Sequence, residues 1–465
     1  MPLIKNQSVV LDIIDFSFEG LGVAKLDGTA IFVYNAIVGE KVRAKILTVK
    51  KHYAFAKTEE VLTASSDRVT PPCEYFPRCG GCTLQHLSYE RELDFKKDLI
   101  RQAFNKENIS IDGLSFNIVA SNSEYHCRNK CSLPIRKGKN NDIQIGFFRK
   151  KSHEIIDINE CVLQSHSIKE LIFELKEWMN ANKILPYYEE THSGNLRHIT
   201  LRILGGKAVV CLVGTKPLLK TNITNFTNVL YKIFNGNFSL YYNYNPDKTN
   251  VIYGKEFNFL SGTDEPIETD GLLLRVHPAG FFQVNDYIRK KLFNRVEELV
   301  KKTGAKVIIE AYAGQGVLAS KLHKTADKLY AIEICKESID AGLEMKELNA
   351  INNLHYIQGD CGTELDNLFN SIQKNSSKEV EKIHFQNNIS NSLLILDPPR
   401  SGVCQKVLST VKTHLPPYII YISCNPATLA RNIATLLPYY KITHLEAFDM
   451  FPKTTNVETL VMLEH

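Results

Sequence analysis

The sequence predicts an α/β fold: a Rossmann-like, doubly wound parallel sheet preceded by a small all-β unit and a mixed middle region. Three observations carry this. From about residue 266 onward, short apolar runs alternate with helix-length segments, the pattern of parallel strands joined by crossover helices. Four acids, Glu310, Glu333, Asp360 and Asp397, fall at the carboxyl ends of successive runs, where such sheets bind ligands. The first 62 residues instead alternate apolar and polar side chains at period two between glycines, as half-buried strands do.

In the first region, 9–13, 30–33 and 40–46 read as strands, and Gly20, Gly22 and Gly39 punctuate them. A five-stranded barrel of the oligonucleotide-binding (OB) kind fits that pattern. Residues 63–92 are irregular and rich in proline and cysteine, and 89–105 reads as a helix with Leu93, Lys97, Ile100 and Phe104 at helical spacing. The middle region mixes strand runs at 198–204 and 208–213 with a helix over 167–180. Beyond 266, a helix over 286–302 precedes strands at 307–310, 329–333, 355–359, 393–397 and 418–423. The polar stretch 374–392 reads as a surface insertion. The division is therefore 1–62, 63–265 and 266–465, consistent with about 150 residues per domain.

Apolar residues make up 44% of the 465, enough for real cores. No run reaches the roughly 18 apolar residues of a membrane span, so no membrane partner is expected. Met1-Pro2-Leu3-Ile4-Lys5 lacks the charged and apolar regions of a signal peptide, which makes the cytoplasm the expected location. The net charge of +5 is mild. Between His126 and His153, however, Arg128, Lys130, Arg136, Lys137, Lys139, Arg149, Lys150 and Lys151 stand against Asp142 alone. Such a stretch suits phosphate contacts, or is a solvated face.

The catalytic signals lie in the last 200 residues. Glu310-Ala-Tyr-Ala-Gly314-Gln-Gly316 is a glycine-rich turn opening a helix, and Glu333 follows nineteen positions after Gly314, where an acid takes ribose hydroxyls. Gly314-x-Gly316-x-x-Ala319 also fits a dinucleotide site, so a dehydrogenase must be weighed. Asp397-Pro398-Pro399-Arg400 discriminates: an acid and two prolines after a buried strand mark S-adenosylmethionine-dependent base methyltransferases. Amino-group methyltransferases usually end this motif in an aromatic residue, and Arg400 stands there instead. Cys424, in Ser423-Cys424-Asn425-Pro426, sits at a strand end as a candidate nucleophile. A thiolate is needed where the methyl acceptor is a poor nucleophile, such as C5 of a pyrimidine. Glu458, in Asn456-Val457-Glu458-Thr459, is the candidate base for the C5 proton.

Eleven cysteines in a chain of this kind point to metal ligation or catalysis rather than disulfides. Cys73-x5-Cys79-Gly-Gly-Cys82 places three thiols on one loop, with Cys161 as a distant fourth and Cys127 or Cys131 as substitutes. An iron-sulfur cluster or a structural zinc ion would suit such a set.

Taken together, these residues resemble the RNA uracil-C5 (5-methyluridine) methyltransferase family over essentially the whole chain. The resemblance implies a Rossmann-like S-adenosylmethionine-dependent methyltransferase domain, an N-terminal OB-like TRAM β-barrel and a central α+β domain carrying an iron-sulfur cluster. The 89–105 helix would pack on the catalytic domain. Cys73, Cys79, Cys82 and Cys161 match the [4Fe-4S] ligands, the last within Ile156-Asp-Ile-Asn-Glu-Cys161. His277-Pro-Ala-Gly-Phe-Phe-Gln283-Val-Asn285 matches a Phe-Gln-Val-Asn motif, making Gln283, Tyr312, Glu333 and Asp397 the implied cofactor contacts. Cys424 matches the nucleophile and Glu458 the base. The cluster-bearing branch is similar to enzymes acting on 23S rRNA, so 23S rRNA is the expected RNA partner of a monomeric enzyme. The alternatives are a tRNA uracil-C5 enzyme, a cytosine-C5 RNA methyltransferase, and a non-catalytic RNA-binding protein. Two departures stand out: Ala313 replaces a family cysteine, and Asn456 replaces the histidine usual two residues before the base.

Overall fold

The computed structural model describes residues 3–114, 116–138, 140–376 and 389–465, with backbone alone for 373–376. Lys139 and most of the 374–392 segment lie outside the described residues. The chain divides into two compact units. The first joins Met1–Leu99 to Phe147–Ile156 and Phe451–Asn456, and the second holds Ile100–Gly146, Asp157–Met450 and Val457–His465.

The first unit is built on β1 (Ser8–Asp12), β2 (Asp15–Phe16), β3 (Gly22–Leu26), β4 (Thr29–Tyr34), β5 (Lys41–Val49) and β6 (Tyr53–Thr63), in the order β1-β5-β6-β4-β3-β2. The sheet has six strands where the sequence suggests five. β2 is two residues long, and so short a segment has no alternation to detect. The inward positions Ala24, Ile31, Val33, Val42, Ala44, Ile46, Ala54 and Ala56 make the core. Alanines at four of these let the strands curl tightly around the larger Ile and Val side chains.

Helix α1 (Tyr89–Lys106) starts in this unit, and Phe95 joins a small core with Phe16, Ile37, Leu84 and Leu87. Its first turns also hold a buried charge network. Glu92 Oε1 accepts from Lys96 Nζ at 2.7 Å and from the Lys453 amide at 2.7 Å, while Lys453 Nζ lies 3.3 Å from Glu92 Oε2. All three side chains are fully buried. Lys96 Nζ reaches the Phe451 carbonyl at 3.2 Å, and the Thr83 and Leu84 amides donate to the Lys453 carbonyl. These bonds fix the 451–456 segment to the first unit, with Lys453 in the left-handed region at φ 63°.

The second unit carries two large sheets. One consists of β8 (Lys130–Lys137), β9 (Ile143–Phe148), β10 (Ile155–Asp157), β11 (Leu196–Leu204), β12 (Lys207–Gly214), β13 (Phe238–Tyr244) and β14 (Glu256–Gly262), ordered β10-β9-β8-β11-β12-β13-β14. Residues 147–156 of the β9–β10 hairpin count with the first unit. Helices α2 (Ser167–Ala181) and α3 (Lys220–Phe234) pack against each other through Trp178 and Phe226, ring centroids 4.6 Å apart.

The other sheet is the doubly wound one. It runs β19 (Leu354–Gln358), β18 (Lys328–Glu333), β17 (Val307–Ala311), β20 (Ser392–Leu396), β21 (Tyr418–Ser423), β23 (Glu458–Glu464), β22 (Lys441–Phe448), β7 (Asn117–Val119). The strands from β19 to β21 are mutually parallel, so the Rossmann-like α/β prediction holds. β23 is antiparallel to both its neighbours, which makes the sheet mixed. β17, β20 and β21 are almost wholly buried, as continuous apolar strands covered on both faces should be. Ile100 and Phe104, in the second half of α1, belong to this sheet's core together with Ile309, Leu394 and Tyr421.

Candidate active site

Glu333 closes β18 and is fixed by backbone amides: Gly314 donates to Oε2 at 2.9 Å, and Ile334 and Cys335 donate to Oε1 at 2.9 Å each. The turn that brings Gly314 there is strained into place. Tyr312, Gly314 and Gly316 all have positive φ, at 64°, 56° and 69°. A side chain on Gly316 would meet the Tyr356 hydroxyl at 2.7 Å, so glycine is required twice over at that position. The Tyr312 amide donates to Cys361 Sγ at 3.3 Å. Glu310, in β17, accepts from the Ala319 amide at 2.9 Å, and burial pushes its carboxyl up to about 8.

Gln283 is buried, and its loop is tied to the glycine turn's neighbourhood. Asn129 Nδ2 donates to the Gln283 carbonyl at 3.0 Å, and Asn285 caps helix α4 (Asp286–Thr303) by accepting from the Ile288 amide. A Cβ on Gly280, in the same loop, would lie 3.8 Å from Gln315 Nε2. Gln315 Oε1 is buried without a hydrogen-bond partner among the described residues. Sequence alone assigns Gln315 no role, although its place between Gly314 and Gly316 is a signal.

At the other side of β17, Asp397 follows β20 and Cys424 follows β21. Asn425 caps helix α9 (Pro426–Ala434), accepting from the Ala427 and Thr428 amides, and its Nδ2 donates to the Arg400 carbonyl at 3.2 Å. Gly402, at φ 81°, has no room for a side chain because Asn432 Oδ1 would lie 2.5 Å from it. The loop that bears Arg400 is thus clamped against α9.

The antiparallel pairing of β21 with β23 puts Ser423 opposite Thr459, so Cys424 and Glu458 stand at adjoining strand ends. Glu458 acts on the Cys424 thiol, and Asp397 and Arg400 act on both groups. Burial pushes the Cys424 thiol up to about 11, Glu458's negative charge adds to the shift, and Arg400 opposes it by charge and by a hydrogen bond. Burial likewise holds the Glu458 carboxyl well above the usual carboxylate range, Asp397 raises it further, and Arg400 pulls it back. Asp397 is lifted by burial. One guanidinium therefore acts on a thiol and a carboxyl at these strand ends, a role that the sequence did not assign to Arg400.

Residues 88–465 match the sequence profile of the tRNA (uracil-5-)-methyltransferases. The chain belongs to this family. Residues 5–58 match the TRAM domain, the six-stranded part of the first unit. An uncharacterized RNA methyltransferase of Clostridium tetani is 34% identical, over 100% of this chain and 98% of that one. Another, from Listeria innocua, is 33% identical over 99% and 98%. Among solved structures, Pyrococcus abyssi tRNA (uracil-54, C5)-methyltransferase in complex with S-adenosyl-L-homocysteine superposes with a TM-score of 0.75 at 27% identity, covering 98% of this chain and 99% of that one. The expected enzyme class holds: this uracil-5-methyltransferase family member is an S-adenosylmethionine-dependent RNA methyltransferase with an N-terminal TRAM domain. The dehydrogenase alternative falls away. No helix among the described residues is long and apolar enough to cross a membrane.

The residues of this uracil-5-methyltransferase site fit S-adenosylmethionine. Glu333 Oε2 bears one amide and keeps capacity for a hydroxyl, and the orphaned Gln315 Oε1 suits a buried donor. Cys73, Cys79 and Cys82 lie in the first unit and Cys161 in the second. Among the described residues no group of three His, Cys, Asp or Glu side chains is arranged to hold a metal ion. Cys131 is a buried strand residue whose thiol burial pushes up to about 12, with Cys161 adding to the shift, which is a poor environment for a ligating thiolate.

The basic stretch divides. Arg136 pairs with Glu189 and also donates to the Arg197 carbonyl at 3.2 Å, while burial brings Lys130 down to about 8. These cations serve the interior of the second unit. Lys150, Lys151 and Arg149 belong to the first unit, where Arg149 pairs with Glu154 at 2.9 Å.

Proposed function

We propose that this enzyme methylates C5 of a uridine in RNA, 23S rRNA being the substrate, with Cys424 as nucleophile and Glu458 as base. The observation that carries the reading is the adjacency of Cys424 and Glu458 at the ends of β21 and β23 with Arg400 acting on both. Cys424 Sγ adds to C6 of a uridine extruded from its stack, which makes C5 nucleophilic. Bound S-adenosylmethionine supplies an electrophilic methyl group. Gln283, Tyr312, Glu333 and Asp397 hold the cofactor beside C5. Arg400 stabilises the thiolate and orients the Glu458 carboxylate. Glu458 then removes the C5 proton, and Cys424 departs as the double bond re-forms.

Residues 1–62 serve RNA binding, 63–265 form the cluster-bearing domain, and 266–465 carry out catalysis, in a cytoplasmic monomer. Cys73, Cys79, Cys82 and Cys161 hold a [4Fe-4S] cluster with a structural or RNA-positioning role. The Gly81 amide, 3.4 Å from Cys79 Sγ, supports this, since N–H···S bonds accompany such clusters. Anaerobically purified protein should contain about four irons and four sulfides per chain. Zinc in their place sinks the cluster assignment.

A second reading, a tRNA substrate, is favoured by one observation: the Pyrococcus enzyme covers 98% of this chain, so an N-terminal unit does not by itself separate the two RNAs. Mass spectrometry of ribosomal and transfer RNA fragments from cells with and without the gene decides. Loss of 5-methyluridine from a 23S fragment is the expected result, and loss from transfer RNA alone overturns the substrate.

A further inference from the structure

The outer face of the TRAM barrel carries a surface aromatic cluster. Phe32 and Tyr34 on β4 and Tyr53 and Phe55 on β6 all point away from the core, alternating with the buried Ile31, Val33, Ala54 and Ala56. The parallel register pairs Phe32 with Phe55 and Tyr34 with Lys57. The rings contact one another, with centroids 5.6 Å apart for Phe32–Phe55 and for Tyr53–Phe55 and 6.2 Å for Tyr34–Phe55. Tyr53 is 39% exposed and the other three are half-buried. No demand of the barrel core explains four adjoining aromatics on its solvent side.

Cations surround them. Lys150 Nζ lies 5.7 Å from the Tyr34 ring centroid and Lys151 Nζ 5.9 Å from that of Phe55. Lys25 and Lys57 are exposed on the same outer face, and Lys45 pairs with Lys57 in the β5–β6 register. The 147–153 hairpin tip also lines an open depression of about 550 Å³ with Gly80 and Gly81. Acids are sparse: Glu19 approaches Lys151 at 3.5 Å, while Glu59 and Glu60 lie beyond Lys57 and are engaged by Ser8 and Arg43.

We propose that Phe32, Tyr34, Tyr53 and Phe55, with Lys150 and Lys151, form a stacking platform for unpaired bases of a single-stranded RNA segment. Aromatic faces accept any base, and neighbouring lysines neutralise the backbone, so the platform grips RNA without reading its sequence. It deepens the RNA-methyltransferase reading and rests on it. A flexible strand held here is one that has already left its helix, the state from which a uridine can be extruded.

The test is fluorescence anisotropy of full-length protein with a single-stranded RNA oligonucleotide and with an RNA duplex, over a range of salt. Tyr53→Leu/Phe55→Leu keeps apolar bulk and removes the rings. It should bind the single strand about 5- to 100-fold more weakly, with an unchanged salt slope and thermal midpoint. Lys150→Ala/Lys151→Ala should instead flatten the log–log salt slope, by about 0.7 per lysine. Wild-type binding that the ring variant matches overturns the platform, as does an equal loss on duplex. Wild-type protein that binds neither RNA brings down the RNA reading itself.

Discussion

Cys424→Ala is expected to lower uridine methylation by at least about four orders of magnitude, the scale on which removal of a covalent nucleophile acts. Binding of S-adenosylhomocysteine should be retained, because Glu333 and the glycine turn are built without Cys424. Residual methylation near the wild-type rate would exclude the covalent route. Glu458→Gln removes the proton acceptor but leaves the thiol. The adduct should then form and persist, visible as a protein–RNA band on a denaturing gel, with turnover down about 10²–10⁴-fold. Absence of the band would reassign the base. The pH profile follows from the same site. A thiol pushed up to about 11 is almost wholly protonated at neutral pH, and Glu458 also needs to lose its proton. Both populations grow with pH, so log kcat/KM should climb by about one to two units per pH unit between about 6.5 and 8.5. A flat profile there would mean that Arg400 holds Cys424 as thiolate already in the free enzyme.

The second large effect lies in the first unit. Glu92 pairs with both Lys96 and Lys453, and all three side chains are fully buried. Glu92→Leu removes a buried carboxylate that pairs with both lysines and should cost about 3–5 kcal/mol, read as a lower denaturation midpoint of this unit. Glu92→Leu combined with Lys96→Met and Lys453→Met removes the charges together and should recover most of that loss. A single variant within about 1 kcal/mol of wild type would show that the network contributes little. The segment it fixes, 451–456, ends two residues before Glu458. The Glu92→Leu enzyme should therefore also lose methylation, and the triple variant should regain part of it.

Much of the catalytic sheet was legible. Val307-Ile-Ile, Leu393-Leu-Ile-Leu and Tyr418-Ile-Ile-Tyr-Ile declare buried parallel strands because both their faces are covered. Glycine and proline positions declare the turns after them, since backbone geometry at Gly314, Gly316 and Gly402 admits little else. Less legible were elements without a period: the two-residue β2, and a basic stretch whose Lys130 and Arg136 look solvated in sequence yet lie within a sheet. Period-two alternation does not distinguish a cation facing water from one facing a partner such as Glu189.

The sequence by itself determined that acids, a thiol and glycine turns sit at strand ends, because capping, periodicity and turn chemistry are local properties. The tertiary structure alone decided which of those ends meet. β23 inserts antiparallel beside β21 and brings Glu458 to Cys424 across 34 positions of chain. Arg400 reaches both from another loop, and Glu92 meets Lys453 at a separation of 361 residues. Such pairings depend on which surfaces bury together and which charges are desolvated, quantities that exist only once the chain has packed.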